Sequence, residues 1–228
     1  MLNRIVIIAA GGTGSRLNKN LPKQYMLLDG KPVLMHTIEL FEKLVDKIVV
    51  SIHPDMFEYW NELCIQYNFK IKHEIVFGGK TRFQSVKNAL AYTSENYNTN
   101  LSNETLIAIH DAARPLTDQH LIEKSFILAS EGKSNVLAML STNSIRLGTA
   151  DKSSAIDRSQ VWQIQTPQTF QTKTLFEAYN QDESDLFTDD ASVVEKLGYP
   201  IHLIESTPRN LKLTYAEDFE IAKLYLSK

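Results

Sequence analysis

A glycine-rich stretch near the start of the chain is followed closely by cations, and this combination suits a polyphosphate ligand. Gly11, Gly12 and Gly14 come directly after an uninterrupted apolar run. Glycines in that position let main-chain N–H groups converge with no side chain in the way. Arg16 and Lys23 follow, and crowding such cations costs free energy unless they face an anion. The stretch predicts a cradle for phosphate oxygens; from the glycines alone, an ordinary strand-to-loop connection is the alternative.

Two better-known phosphate-binding loops do not match this stretch. A dinucleotide-binding loop reads G-x-G-x-x-G and opens directly into a helix, whereas here Leu17 replaces the third glycine and Pro22 interrupts the helix. A Walker loop ends in Gly-Lys-Ser/Thr, and that ending is absent here. What remains is a loop whose backbone amides hold a triphosphate while Arg16 and Lys23 lie along it. Such a loop suits attack on the α-phosphate, with pyrophosphate as the leaving group.

Two later segments end predicted strands with groups that bind phosphate or metal. A second glycine pair follows the predicted strand at residues 71–77, and Asp111 follows the one at residues 104–110. In open α/β sheets, ligands lie at the carboxyl ends of the strands, so both segments are expected beside the first loop. A carboxylate there can hold Mg²⁺ against phosphate oxygens. The alternatives are a simple tight turn at the glycines and an ion pair between Asp111 and Arg114 within its own turn.

Apolar patterning predicts the elements that position these groups. Short β-branched runs are typical of buried parallel strands, and segments with apolar residues at helical spacing alternate with them. We expect a single α/β domain over residues 1–228, Rossmann-like, with a mostly parallel sheet and helices on both faces. Beyond the first strand, strands are predicted at residues 46–52, 71–77, 104–110, 134–140 and 200–206. Helices are predicted at residues 31–43, from 54, after 82, at 173–180, from an N-cap at Thr188, and after a capping box of Thr214 and Glu217.

The composition excludes several classes of function. The formal net charge is −3, so no nucleic-acid or membrane partner is indicated and anion binding must be local. The single cysteine, Cys64, allows no internal disulfide and shares an apolar helical face, so we expect it in the core. The six histidines are scattered and form no zinc motif. No apolar run is long enough for a membrane span, and nothing before the first strand resembles a signal peptide, so a cytoplasmic protein is expected.

Several motifs together resemble one enzyme family. The opening AAGGTGSR…LPKQY resembles the nucleotidyltransferases that make sugar- or polyol-nucleotides, and PKQY resembles the branch acting on 2-C-methyl-D-erythritol 4-phosphate. GG-x-x-R-x-x-SV, HDAARP, TDDASVVE and N-x-K-x-T follow in the same order, so the resemblance spans nearly the whole chain. By itself TDDASVVE is read mainly as a helix start, because aspartate in a first turn suits the helix dipole.

The resemblance implies a cytidylyltransferase that joins CTP to 2-C-methyl-D-erythritol 4-phosphate and releases pyrophosphate, in non-mevalonate isoprenoid synthesis. It implies Mg²⁺ as cofactor, held by Asp111, and catalysis by positioning and charge neutralisation without a covalent intermediate. The implied catalytic cations are Arg16, Lys23 and Lys212. The implied nucleotide contacts are Ala10, Gly11, Gly12, Gly14, Gly79, Arg82, Ser85, Asp111 and Ala112, and the implied contacts to the polyol phosphate are Arg114, Ser144, Arg158 and Thr166.

Residues 141–162 differ in character from the rest of the chain. Two short, polar extended segments flank a turn around Gly148 and predict a β-hairpin with little core face of its own. The resemblance implies that this β-arm reaches across a homodimer, so that Arg158 would serve the neighbouring site. The arm departs from its relatives at Asn143 and Ser144, where they usually have Asp-Thr.

Two other functions fit the same residues. Ribitol 5-phosphate could replace methylerythritol phosphate as the acceptor on the same scaffold. Alternatively, the chain could be a non-catalytic regulator that binds the nucleotide without turnover. The second alternative is disfavoured because binding alone would not require Arg16, Lys23, Asp111 and Lys212 together.

Overall fold

A seven-stranded sheet forms the centre of the protein in a computed structural model, which describes residues 3–12, 21–97 and 105–227. The strands in these ranges are β1 (Asn3–Ala10), β2 (Leu27–Leu28), β3 (Lys31–Pro32), β4 (Lys47–Ile52), β5 (Glu74–Phe77), β6 (Thr105–Asp111), β7 (Asn135–Leu140), β8 (Ile145–Gly148), β9 (Ser153–Ile156), β10 (Trp162–Gln171) and β11 (His202–Glu205). The α-helices in these ranges are α1 (Val33–Phe41), α2 (Phe57–Gln66), α3 (Arg82–Tyr97), α4 (Gln119–Ser130), α5 (Thr172–Tyr179), α6 (Asp190–Glu195) and α7 (Ala216–Leu226).

The central sheet has the strand order β11-β7-β10-β6-β1-β4-β5. Neighbouring strands are parallel except at β10, which runs antiparallel to both β6 and β7. The predicted α/β fold with a mostly parallel sheet is therefore confirmed. From β1 the chain proceeds to β4 and β5 on one side and then returns to β6 on the other. The crevice between β1 and β6 is thus the topological switch point, where open α/β sheets bind ligands.

Both faces of the sheet are apolar, as an uninterrupted β-branched run predicts. In β1, Val6 and Ile8 pack into one core while Ile5 and Ile7 pack into the other, and all four are buried. Side chains from α1, α2 and α4 cover the first face, and side chains from α3, α5 and α6 cover the second. Helices therefore lie on both faces, as predicted, and the carboxyl ends of the parallel strands are held at one edge.

Two predicted helix starts differ from the structure for local reasons. The first helix begins at Val33 because Lys31 and Pro32 pair with β2 in a short ladder. Helix α6 is not capped by Thr188. The carboxylate of Asp189 caps it instead and accepts the Ser192 N–H at 2.9 Å.

The predicted capping box of Thr214 and Glu217 is also wrong, by one residue. The carboxylate of Asp218 accepts the N–H groups of Thr214 at 2.6 Å and of Tyr215 at 2.7 Å. The N-cap residue is Tyr215, and the Thr214 hydroxyl donates to the Lys212 carbonyl at 3.0 Å.

Strands β8 and β9 form a separate two-stranded ladder, and the predicted hairpin is present. Their residues are almost all exposed, and Leu147 is 67% exposed. A two-stranded ladder without apolar cover is marginally stable in water. The role of this arm in a dimer stays a prediction.

Two expectations drawn from composition can be compared with the structure. Cys64 is partly buried against the first core, and burial raises the pKa of its thiol to about 11, so it stays protonated as a packing residue. Within the described ranges, no helix combines the length and apolarity that crossing a membrane requires.

Candidate active site

A cavity of about 470 Å³ lies at the carboxyl ends of β1, β4, β5 and β6. The register of the sheet brings these ends together, since Ala10 pairs with Ile52 and Ala9 pairs with Asp111. The lining residues come from the ends of these strands, from the segments that follow them and from one later segment near Lys212: Ala9, Ala10, Gly11, Gly12, Lys23, Gln24, His53, Gly79, Lys80, Thr81, Arg82, Ser85, Asp111, Ala112, Ala113, Lys212 and Thr214.

Ser85, in the first turn of α3, binds the second glycine-rich loop and lies close to the first. Its Oγ accepts the Gly79 N–H at 3.1 Å and donates to the Thr81 carbonyl at 2.8 Å. A Cβ added to Gly11 would lie 3.3 Å from this Oγ, and one added to Gly78 would lie 2.8 Å from it. Larger residues would therefore push the loops away from the serine. This close approach gives the second glycine pair a purpose beyond a tight turn.

The three side chains of the 3-10 turn at residues 23–25 have different surroundings. Tyr25 is buried in the core, and Lys23 lines the cavity. The amide of Gln24 is buried and donates to the carbonyls of Ala10 at 2.7 Å and Gly12 at 2.9 Å. The turn is thereby fixed both to the core and to the first glycine loop.

Asp111 is a carboxylate surrounded by cations. Lys212 Nζ lies 2.9 Å and Arg114 Nε 3.2 Å from its Oδ2, while Arg82 Nε lies 3.9 Å from its Oδ1. Burial alone would raise the pKa of this carboxyl, but attraction to Lys212, Arg82 and Arg114 outweighs burial and holds the pKa well below its usual range. Asp111 is therefore ionised at neutral pH.

Asn210 anchors the segment that carries Lys212. Its buried side-chain amide donates to Gln165 Oε1 at 2.9 Å and to the Thr166 carbonyl at 3.0 Å. The main-chain carbonyl of Asn210 accepts a hydrogen bond from Arg114 Nη1 at 2.8 Å. These contacts hold the backbone two residues before Lys212 and so place that lysine beside the end of β6.

Thr166 holds the end of β6 through two hydrogen bonds. Its Oγ1 accepts the Asp111 N–H at 3.0 Å and lies 3.1 Å from His110 Nδ1. Burial lowers the pKa of His110 to about 4, so the ring is neutral. Nε2 of His110 lies 3.1 Å from the Arg114 carbonyl, which can only accept. The ring proton is therefore assigned to Nε2, and the Thr166 hydroxyl donates to Nδ1.

Arg82 is held by a carboxylate from a distant part of the chain. Its Nη1 and Nη2 donate to Asp190 at 2.8 and 2.5 Å, across 108 residues of sequence. Asp190 is fully buried and also accepts a hydrogen bond from Tyr179 Oη at 2.6 Å. This bidentate pair fixes the guanidinium between α6 and the end of β6.

A second cavity, of about 620 Å³, adjoins the first. It shares Arg82, Asp111 and Lys212 with the first cavity, so these three residues form the junction between the two. The remaining lining includes eight polar residues and five apolar ones: Arg114, Gln165, Thr166, Gln168, Thr188, Asp189, Ser192 and Glu195, with Val136, Ile164, Ala191, Ile201 and Leu203.

The predicted site residues fall into groups by position. Ala10, Gly11, Gly12, Lys23, Gly79, Ser85 and Ala112 line the first cavity, Arg114 and Thr166 line the second, and Arg82, Asp111 and Lys212 line both. Ser144 and Arg158 line neither cavity, and Arg158 Nη1 donates to the Thr142 carbonyl at 2.8 Å within the arm. Gly14 and Arg16 lie outside the described residues.

Sequence reasoning missed three residues that hold the site together. Gln24, Asp190 and Asn210 each bind a site residue or a loop backbone through a buried side chain. All three lie inside motifs that were recognised, PKQY, TDDASVVE and N-x-K-x-T. The motifs therefore contained these residues, but the sequence does not reveal their partners, which for Asp190 and Asn210 lie 108 and 44 residues away.

Asp111 is the candidate ligand for a metal ion. In the described part of the chain, no group of three or more His, Cys, Asp or Glu side chains could hold a metal ion. Mg²⁺ commonly takes one or two carboxylates and completes its shell with substrate phosphates and water. One ionised carboxylate between two cavities fits that pattern. Oδ2 already contacts Lys212 and Arg114, so Oδ1, with its longer contact to Arg82, is the oxygen suited to a metal.

Comparison with known proteins agrees with this geometry. The profile of the family described as "IspD: 2-C-methyl-D-erythritol 4-phosphate cytidylyltransferase" matches residues 4–228. A protein of that name from Porphyromonas gingivalis is 41% identical over 225 residues, covering 98% of both chains. One from Bacteroides thetaiotaomicron is 36% identical over 227 residues, covering 99% of this chain and 100% of the other.

A solved structure supports the same relationship. The crystal structure of the Francisella tularensis enzyme of that name superposes with a TM-score of 0.76 at 32% identity, covering 97% of this chain and 99% of the other. Sequence and structure therefore agree along nearly the whole length. The chain belongs to the 2-C-methyl-D-erythritol 4-phosphate cytidylyltransferase family.

Proposed function

We propose that the protein transfers the cytidylyl group of CTP to 2-C-methyl-D-erythritol 4-phosphate and releases pyrophosphate, the activity that its family is named for. The observation that carries the proposal is the junction of the two cavities at Arg82, Asp111 and Lys212. The nucleotide would occupy the first cavity, which both glycine-rich loops line. The acceptor would occupy the second, so that the two phosphates meet at the junction.

The reaction needs charge neutralisation more than acid–base chemistry. The acceptor phosphate is already an anionic nucleophile, and it must approach an α-phosphate that is also negative. Among the described residues, Arg82, Arg114 and Lys212 form ion pairs with two carboxylates, Asp111 and Asp190, so the positive charges of this group outnumber the negative ones. Preorganised cations of this kind lower the barrier for charge that develops in the transition state.

Lys212 and Lys23 are the cations suited to the reacting phosphates. The side chain of Lys212 is 44% exposed and contacts Asp111. Its ammonium can therefore turn from Asp111 to an incoming phosphate. Lys23 lines the first cavity on the side of the glycine loop. Arg82 and Arg114 are fixed by other partners and would position rather than follow the phosphates.

Mg²⁺ belongs to the proposal as a cofactor bound through Asp111. When bound there, the ion would neutralise phosphate oxygens and assist the departure of pyrophosphate. The role of the protein is to supply one ionised carboxylate at the point where the cavities meet.

We also propose that the arm at residues 141–162 docks on a second copy of the chain. Its exposed two-stranded ladder, with Leu147 and Ile156 at 67% and 37% exposure, needs cover to be stable. A symmetric dimer supplies that cover with no other partner. Ser144 and Arg158 would then contact the acceptor bound by the neighbour. Residues 1–228 would act as one domain in the cytoplasm, where CTP is made.

The experiment that tests the function is pyrophosphate release by the purified protein with CTP and Mg²⁺. The acceptors are methylerythritol phosphate and ribitol 5-phosphate, and UTP replaces CTP in a parallel series. We expect release with methylerythritol phosphate and CTP, and weak activity with ribitol phosphate or UTP. Preference for ribitol phosphate would assign the alternative substrate, and CTP binding without release from any acceptor would indicate the non-catalytic regulator.

A further inference from the structure

We propose that Gln24 is a positioning residue, which keeps the loop after β1 in the form that accepts the triphosphate. The inference rests on the proposed function, because it concerns the nucleotide of that reaction. Gln24 acts through the backbone of the loop and is not assigned a contact with the reacting atoms.

The contacts of Gln24 are specific to its side-chain amide. Only 4% of the residue is exposed, and its Nε2 donates to the Ala10 carbonyl at 2.7 Å and the Gly12 carbonyl at 2.9 Å. Both hydrogens of the amide are therefore used, on the two carbonyls that flank Gly11. Ala10 and Gly12 both line the first cavity, where an unpaired carbonyl oxygen would disfavour an anion.

Electrostatics explains why these carbonyls need a partner. A carbonyl oxygen carries partial negative charge, so one that faced a triphosphate would repel it, and one left buried without a partner would cost free energy. By accepting from Gln24, both carbonyls face the amide of the 3-10 turn, and its hydrogens offset their partial negative charge. The N–H groups of the loop are then the dipoles presented to the phosphates.

The same contacts also fix Lys23. Gln24 follows Lys23 directly, so the bonds to Ala10 and Gly12 join the backbone of the cationic residue to the glycine loop. A shift of about 1 Å in such groups can cost about 10²-fold in rate. This gives the glutamine of PKQY a physical role beside its lysine.

Gln181 provides a matched control elsewhere in the chain. Its Nε2 also donates to two carbonyls, those of Ala178 and Val193, both at 2.9 Å. Gln181 is partly buried and lines neither cavity. Gln181→Met therefore removes the same kind and number of hydrogen bonds, and neither Gln181 nor its two partners line a cavity.

The experiment compares Gln24→Met with Gln181→Met, using the wild-type protein as the reference. We expect kcat/KM for CTP to fall about 10²-fold in Gln24→Met and to stay within about threefold of wild type in Gln181→Met. The melting temperatures of both variants should fall by similar amounts. A Gln24→Met variant within about threefold of wild type, or equal losses in the two variants, would overturn the inference.

A second variant gives a readout that a purely structural role would not move. An ionised glutamate at position 24 has no hydrogen to donate, whereas a protonated one has a single O–H. The ratio of Gln24→Glu to wild-type kcat/KM should therefore rise about tenfold or more between about pH 8 and about pH 5.5. A ratio that does not change with pH would contradict the role.

Failure of the proposed function would be recognised separately. If the wild-type protein released no pyrophosphate, calorimetric binding of CTP would replace the activity assay. Gln24→Met is then expected to bind CTP at least about tenfold more weakly than both wild type and Gln181→Met. Equal CTP affinities would overturn the role of Gln24 whatever reaction the protein performs.

Discussion

Replacing Asp190 by asparagine tests whether the buried pair with Arg82 holds the junction of the two cavities. Asp190 is fully buried, while the Arg82 side chain is 31% exposed and can be only partly solvated by water. The substitution keeps the shape of the side chain but removes its charge. The amide oxygen of the asparagine can still accept from Tyr179, but Arg82 loses one of the two carboxylate oxygens that accept its hydrogen bonds.

The size of the effect follows from the burial of the two groups. Removing one partner of a buried ion pair costs about 3–5 kcal/mol, because the other charge is left unpaired. The partial exposure of Arg82 favours the lower end, so we expect about 3 kcal/mol for Asp190→Asn. For a chain of this length, each 1 kcal/mol lowers the melting temperature by about 2–4 °C. The expected decrease in the melting temperature is therefore about 6–12 °C.

The assay is a double-mutant cycle measured by denaturant unfolding. Asp190→Asn, Arg82→Met and the double variant are compared with wild type, and the double variant should lose at least about 2 kcal/mol less than the sum of the single losses. Glu220→Gln is the control. It removes the charge from an exposed pair with Lys223 at 2.8 Å, and it should cost less than about 0.5 kcal/mol.

A small loss in Asp190→Asn would refute the reasoning. If it cost less than about 1 kcal/mol, or if the single losses simply added, the pair would contribute little beyond ordinary surface contacts. Arg82 would then have to be held by Asp111 instead.

Further predictions concern the chemistry, the metal, pH and the arm. Lys23→Ala should lower kcat about 10²-fold while CTP binds nearly as before; an increase in KM alone would contradict this. Asp111→Asn should raise the Mg²⁺ concentration for half-maximal rate, and an unchanged requirement would leave Asp111 only its ion pairs. Burial lowers the pKa of His73, whose Nε2 accepts from Trp60 Nε1 at 3.0 Å. The unfolded chain therefore takes up this proton first as pH falls, and stability should decrease below about pH 6.5. The His73→Gln variant should show a smaller decrease in unfolding experiments over the same range, and an identical pH dependence would exclude the histidine. Mixed dimers of Lys23→Ala and Arg158→Ala should regain activity, since one of their two sites would carry neither lesion; mixtures that form dimers but stay inactive would show that Arg158 acts within its own chain.

The local parts of this protein could be predicted from the sequence, and the long-range parts could not. The apolar run before Gly11 identifies a buried strand because few other structures bury β-branched residues on two faces. The position of Asp111 follows from the same logic, since a strand end has a known place in an α/β sheet. Arg82 was expected to contact the nucleotide, but its partner Asp190 is 108 residues away. No local pattern specifies such a pairing.

The sequence predicts the N-caps of α6 and α7 but places each of them one residue too early. Thr188 and Thr214 are each followed by a residue that can also occupy the N-cap position. Which of the two residues caps the helix depends on which oxygen the folded backbone brings within hydrogen-bonding distance. In the structure the N-cap residues are Asp189 and Tyr215, and Asp218 takes the place predicted for Glu217. Capping preferences are therefore reliable for the existence of a helix end and less so for its exact residue.

The anchoring of Lys212 by Asn210 has a consequence for how the protein matures. Arg114 and Asn210 make their hydrogen bond across 96 residues of sequence, and the junction also needs α6. Closing such long loops is slow and comes late in folding. The strands of the nucleotide cavity can pair while the ribosome is still adding the rest of the chain, but the shared lysine is synthesised long after β6 is complete. Catalytic competence should therefore appear only after most of the secondary structure has formed, so a nascent chain that can already shape the glycine loops cannot yet turn over CTP.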